Sequence, residues 1–130
     1  MKKTIASFSL LFMILAAGAL LAEEHHIKAT LVANGDSGVG GFVQLTQLPK
    51  GGANLNVVAT GLHPGIVYAS FYYESADCSE PADLLGTFTA DDDGNGHIQG
   101  KIDDDIDEVG SVSVRLGPSY GTLQACATVH

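Results

Sequence analysis

Ser111-Val112-Ser113-Val114-Arg115-Leu116 decides the fold class, because apolar and polar residues alternate through it without a break. A period of two is the strand period. It sends Val112, Val114 and Leu116 to one face of a sheet and Ser111, Ser113 and Arg115 to the other, one face buried and one wet. The same logic turns Leu55, Val57 and Ala59 inward on an earlier segment. In the next segment it turns Val67, Ala69, Phe71 and Tyr73 inward, with Tyr68, Ser70 and Tyr72 outward.

Eight strands follow, over 27–32, 41–48, 53–61, 66–73, 84–90, 97–102, 111–116 and 123–129. No stretch after residue 22 keeps apolar residues at the i, i+3, i+4, i+7 spacing of a helix, and Gly, Asp, Asn or Pro interrupts it every several residues. Leu48-Pro49-Lys50-Gly51-Gly52 carries turn chemistry, and Asp93-Gly94-Asn95-Gly96 reads as a tight hairpin. Short strands at this spacing predict one all-β, antiparallel sandwich or barrel domain over residues 23–130.

The beginning of the chain differs in kind. Met1-Lys2-Lys3 precedes an apolar run from Ile5 to Leu21, then small residues and Glu23-Glu24. This is the order of a secretory signal, cleaved after Ala19 or, as favoured here, after Ala22; an uncleaved membrane anchor is the alternative. The chain is therefore expected to be secreted or periplasmic, with 1–22 as signal peptide.

Cleavage after Ala22 leaves fifteen acids against Lys28, Lys50, Lys101 and Arg115, a net charge of −11. A field of that sign repels nucleic acid and anionic membrane surfaces; it leaves the partner unknown and a protein or small-molecule ligand open. The two cysteines, Cys78 and Cys126, both lie in the exported part. An oxidising compartment would join them and stabilise the fold by about 3–4 kcal/mol in the chain-entropy model. A reactive or metal-binding pair is the competing reading, and no Cys-x-x-Cys spacing accompanies it.

Several landmarks occur in a telling order: Gly61-Leu62-His63-Pro64-Gly65, then Cys78, then Leu85-Gly86-Thr87-Phe88-Thr89-Ala90-Asp91-Asp92-Asp93-Gly94, and finally Leu123-Gln124-Ala125-Cys126. The set resembles the copper/zinc superoxide dismutase superfamily. The resemblance implies an eight-stranded Greek-key β-sandwich with a Cys78–Cys126 disulfide. It also implies where metal ligands would stand, and there the chain departs from the pattern. Ser70 and Tyr72 occupy the positions of the strand-four copper histidines and Arg115 that of a later one. The segment after Cys78 has no histidine, and the long arginine-bearing loop shrinks to Gly117-Pro118-Ser119-Tyr120-Gly121-Thr122. A neutral imidazole binds copper and a guanidinium does not. The expectation is a degenerate member: not an enzyme, with no catalytic residues and no cofactor.

Two candidate sites remain. Tyr68, Ser70, Tyr72 and Arg115 form a candidate ligand patch on the outer sheet face, weighed against an ordinary wet face. Cleavage after Ala22 would also expose Glu23-Glu24-His25, whose amine, amides and imidazole suit square-planar Cu, with His26 as a further ligand. Asp91-Asp92-Asp93-Gly94-Asn95-Gly96 begins like a calcium loop, but its twelfth position is Ile102 rather than glutamate, so it reads as a turn. Besides a binding or structural module, the sequence leaves two readings open: a copper-handling protein and a residual metalloenzyme.

Overall fold

The computed structural model describes residues 25–130; the signal peptide expected over 1–22 lies outside the described residues. The strands are β1 (His26–Thr30), β2 (Val32–Ala33), β3 (Gly40–Gln47), β4 (Ala53–Thr60), β5 (Val67–Tyr73), β6 (Ala82–Thr89), β7 (Gly96–Ile102), β8 (Ser111–Leu116) and β9 (Leu123–Thr128). They form two sheets, ordered β1-β3-β4-β7 and β2-β9-β8-β5-β6, and every pairing is antiparallel. Among the described residues the one helical element is a 3-10 turn, Ile106–Glu108, and no helix is long and apolar enough to cross a membrane.

The inner faces of the two sheets meet in one core. Leu55, Val57 and Ala59 are buried as their alternation predicts, with Val43 and Leu45 beside them and Val112, Val114, Ala125 and Ala127 opposite. The hairpin at 48–52 closes by Leu48 N–H to Gly52 O at 2.9 Å.

Three expectations are corrected. The segment 27–32 is not one strand, because Leu31 turns inward and the chain leaves β3 to pair with β9, so eight expected strands become nine. The Asp91–Asn95 segment is a turn, with Asp91 Oδ1 accepting from Asp93 N and Asn95 N at 3.0 and 2.9 Å. It is not a hairpin, since β6 and β7 belong to different sheets. Finally, β5 is inverted: Tyr68 and Tyr72 pack on the central core, whereas Ala69, Phe71 and Tyr73 form a second cluster on the outer side with Cys78.

Gln47 and Asp105 lock one end of the sandwich. Asp105 Oδ1 accepts from Gln47 Nε2 at 2.9 Å and Gly52 N at 2.8 Å, and Gln47 Oε1 accepts from Ile106 N at 2.8 Å. The first two bonds hold the Asp105 carboxyl below its ordinary 3.8. A depressed carboxyl stabilises the fold above its unfolded value, and that contribution is lost as pH falls through the folded one. Asp105→Asn is expected to be less stable than the parent at pH 7 and to show a shallower loss of stability between pH 4 and acid, read from urea unfolding at a series of pH values.

Gly41 meets the opposite strand closely. Its φ is 120°, and a Cβ there would lie 2.0 Å from Val58 O. Gly41→Ala is expected to cost about 2–4 kcal/mol of stability by denaturant unfolding, because both the backbone and β4 must shift.

Candidate functional site

The two sheets differ in their outer faces. On the five-stranded sheet, β5 and β8 pair Ala69 with Arg115, Phe71 with Ser113 and Tyr73 with Ser111, so these residues share the outer side. The connections 74–81 and 117–122 fold over them. Ser111 and Ser113 are accordingly buried, not wet. Ser111 Oγ accepts from Cys78 N at 3.0 Å and donates to Ser75 O at 2.6 Å.

Arg115 organises this cover. Nε donates to Tyr73 Oη at 3.0 Å, Nη1 to Gly121 O at 3.0 Å and Nη2 to Cys78 O at 3.1 Å. The guanidinium carbon stacks 3.8 Å from the Tyr120 ring centroid, and Tyr120 meets Phe71 edge-on at 4.9 Å. Tyr73 Oη passes the network on to Ser113 Oγ at 2.7 Å. Burial, followed by the Tyr73 hydroxyl, pushes the Tyr120 phenol up to about 12, against the opposing pull of Arg115. Cys78 has a left-handed backbone, φ 58°, with its N–H and C=O both bonded as above, and its sulfur joins Cys126 in the expected disulfide.

The expected patch of Tyr68, Ser70, Tyr72 and Arg115 is therefore not assembled. Tyr68 and Ser70 are fully buried, Tyr68 Oη accepting from His63 N at 2.9 Å and Ser70 Oγ donating to Ser113 O at 2.9 Å. Tyr72 is half-buried against the core, and its phenol is pushed above 10.0 by burial first and then by Asp104, Asp83 and Asp103. Only Arg115 faces outward. The physical reason is that β5 is covered on both sides, so its alternation does not tell inner from outer.

The five histidines are dispersed. His25 gives its carbonyl to Gln47 N at 2.9 Å, and His26 begins β1; Glu23 and Glu24 of the expected copper motif lie outside the described residues. His63 is in the turn before β5, His97 bonds Asn56 Oδ1 at 2.5 Å, and His130 bonds Ile106 O at 2.9 Å. Among the described residues no three His, Cys, Asp or Glu side chains group around a common point.

The four-stranded sheet leaves its outer face open, and sequence reasoning missed it. Register lines up His26, Thr46, Asn54 and Lys101 in one row, and Lys28, Gln44, Asn56 and Gln99 in the next. A third row holds Thr30, Phe42, Val58 and His97. The first row except Lys101, together with the second, floors a depression of about 550 Å³ that Leu48 and Pro49 also line. Lys28 Nζ lies 4.3 Å from the centroid of the Phe42 ring. Asn54-Leu55-Asn56-Val57 signals the outward amides through its alternation, but the rows need the register of four strands.

No protein-family model matches the chain, and no curated protein matches it. Among solved structures the chain is similar to the crystal structure of the clock protein EA4, with a TM-score of 0.56 at 17% identity, covering 78% of this chain and 92% of that one. At that identity the likeness speaks to the fold alone.

Removing the guanidinium takes the side-chain donor from two carbonyls, leaves the Tyr73 phenol only its bond with Ser113 and uncovers the Tyr120 stack. Arg115→Ala is expected to lower stability by about 2–3 kcal/mol in denaturant unfolding. Arg115→Lys should recover less than half of that loss, because one ammonium does not span three divergent acceptors. A change under about 0.5 kcal/mol for the alanine variant would show that the clamp is not structural.

Proposed function

We propose that the chain is an exported, non-catalytic domain of the superoxide dismutase type, a Greek-key sandwich serving as a binding or structural module without dismutase activity. The observation that carries this reading is the state of Arg115. At the place where the resembled family carries a copper histidine stands a guanidinium already bonded to Tyr73, Gly121 and Cys78.

The surrounding donor set does not fit the family's copper and zinc. On the outer side of β5 and β8 the side chains are Ala69, Phe71, Tyr73, Ser111, Ser113 and Arg115, with no imidazole and no carboxylate among them. The guanidinium offers hydrogen-bond donors and no lone pair. The covering segments, 74–81 and 117–122, are short; each gives a carbonyl to Arg115, and 74–81 also bonds within itself. Export is supported by the composition of residues 1–22 and by the disulfide.

A second reading is copper handling at Glu23-Glu24-His25, with His26 beside it. It is favoured by the bonding of His25, whose carbonyl rather than amide bonds β3, leaving the amide nitrogen for a planar copper complex.

Metal analysis and N-terminal sequencing of the chain as it emerges from an exporting host test both readings. After exposure to copper and zinc and desalting, the proposed module is expected to hold no internal metal and to consume superoxide no faster than buffer. One copper that disappears when the residues before Ile27 are removed would favour copper handling. A tightly held metal that survives that trimming would overturn the non-catalytic reading.

A further inference from the structure

We infer that the open face of the four-stranded sheet binds an acidic polysaccharide, a glycan chain whose sugars carry carboxylates. The inference deepens the reading of the chain as a binding module and rests on it. It concerns a different surface from the Arg115 clamp.

The first observation is the distribution of charge. The chain from residue 23 onward has fifteen acids and four fixed cations, yet none of the twelve outward positions in the three rows is a carboxylate. Lys28 and Lys101 stand at opposite edges of the face, and Lys50 lies in the exposed turn joining β3 and β4. The remaining cation, Arg115, is engaged on the other sheet. Every lysine after the leader is thus on this face or at its rim. An even spread of fifteen acids over the surface would not leave this face bare.

The second observation is the chemistry between the lysines. Gln44, Asn54, Asn56 and Gln99 lie side by side in the register of β3, β4 and β7. Among the described residues the side chains of Gln44, Asn54 and Gln99 make no hydrogen bond, and Asn56 makes one, to His97. Each amide offers a carbonyl acceptor and two N–H donors, the complement of a sugar hydroxyl that both gives and accepts. Neighbouring strands repeat about every 4.8 Å, so the amides form a ladder on which successive hydroxyls can be matched. Their shared depression, about 550 Å³, is a shallow trough rather than a closed cavity, which suits a segment of a polymer.

Amides alone fit a neutral glycan, and lysines alone fit any polyanion. The combination selects a ligand with both groups. Lysine ammoniums make charge-assisted hydrogen bonds to carboxylates, while the amides between them read hydroxyls. The −11 field opposes any polyanion, and it opposes a nucleic acid, with a charge about every 1.7 Å of duplex axis, most strongly per unit length. A glycan with one carboxylate per sugar places its charges more sparsely.

Oligogalacturonate titrated into the purified full chain, as processed by an exporting host, tests the inference. Saturable binding is expected by calorimetry, with NMR shifts confined to β1, β3, β4 and β7 and with affinity falling as salt rises. The Lys28→Gln, Lys101→Gln pair should weaken binding by about tenfold or more and flatten the salt dependence. Asn54→Asp and Gln99→Glu change few atoms and leave the core untouched, so they separate lost binding from lost folding; each should abolish binding while the unfolding midpoint holds. Equal affinity for cello-oligosaccharide, equal affinity for polyglutamate, shifts confined to the other sheet, or no binding would each overturn the inference. None of these results bears on whether the chain holds metal, so failure here leaves the module reading to its own experiment.

Discussion

The outer side of the five-stranded sheet depends on one guanidinium. Arg115 projects from β8 into a space bounded by two segments with no regular structure, and its planar fork reaches a carbonyl in each of them. A planar cation with five fixed donors can satisfy divergent acceptors at once, which a flexible ammonium cannot. Among the described residues no carboxylate bonds the Arg115 guanidinium. The charge is tolerated because the group is only partly buried, because its bonds are to strong dipoles, and because the Tyr120 ring covers its face. Beneath it, Ala69, Phe71 and Tyr73 are as dry as a core. The Cys78–Cys126 bond does the same work covalently, tying the 74–81 segment to β9 across a separation of 48 residues. Hydrogen bonds fix the orientation of that segment and the disulfide fixes its location.

This double cover also determines which parts of the fold could be read from the residues. In β4 one face is core and the other is open, so Leu55, Val57 and Ala59 alternate with Asn54, Asn56 and Val58, and the inward set is legible. In β8 the valines are legible because they alternate with polar residues, although Ser111 and Ser113 prove buried under the cover instead of wet. In β5 both parities carry large aromatic side chains because both sides are covered, and tyrosine suits either; nothing local distinguishes Tyr68 from Tyr73. The disulfide followed from there being two cysteines. The switch of the chain between sheets at Leu31 had no local signal, since either side of it is ordinary strand sequence. The Asp91–Asn95 turn was visible as a turn, but the sheets it connects are a property of distant partners. The patch built on Tyr68, Ser70 and Tyr72 failed through the single error of parity in β5, and the amide rows escaped notice because a row across four strands exists only once register is known.

The net charge is large, but its placement matters more than its size. Asp104 is held above its ordinary 3.8 by burial and then by Glu108, Asp83, Glu74 and Asp103, which marks an acidic pole around the segment leading into β8. Tyr72 feels Asp104, Asp83 and Asp103 as well. Carboxylates crowded in this way cost stability at neutral pH, because each disfavours ionisation of the next. The cost is borne where the backbone is well fixed: the same segment carries the Asp105 and Gln47 lock and the buried Ile106.

That pole lies at one corner of the open face, two residues beyond Lys101 in β7. Lys28 stands three strand spacings away, about 14 Å, which exceeds the Debye length of about 8 Å at physiological salt. Of the two lysines at the edges of this face, Lys28 is thus the one farther from Asp103 and Asp104. On the other sheet the loops cover β5 and β8, while Leu84, Thr87 and Thr89 on the outer side of β6 stay exposed. The open character of the four-stranded face follows from connectivity: the two connections that stay within the five-stranded sheet, 74–81 and 117–122, fold back over β5 and β8, whereas the connection that stays within the four-stranded sheet, the 48–52 hairpin, is too tight to cover anything beyond its own end.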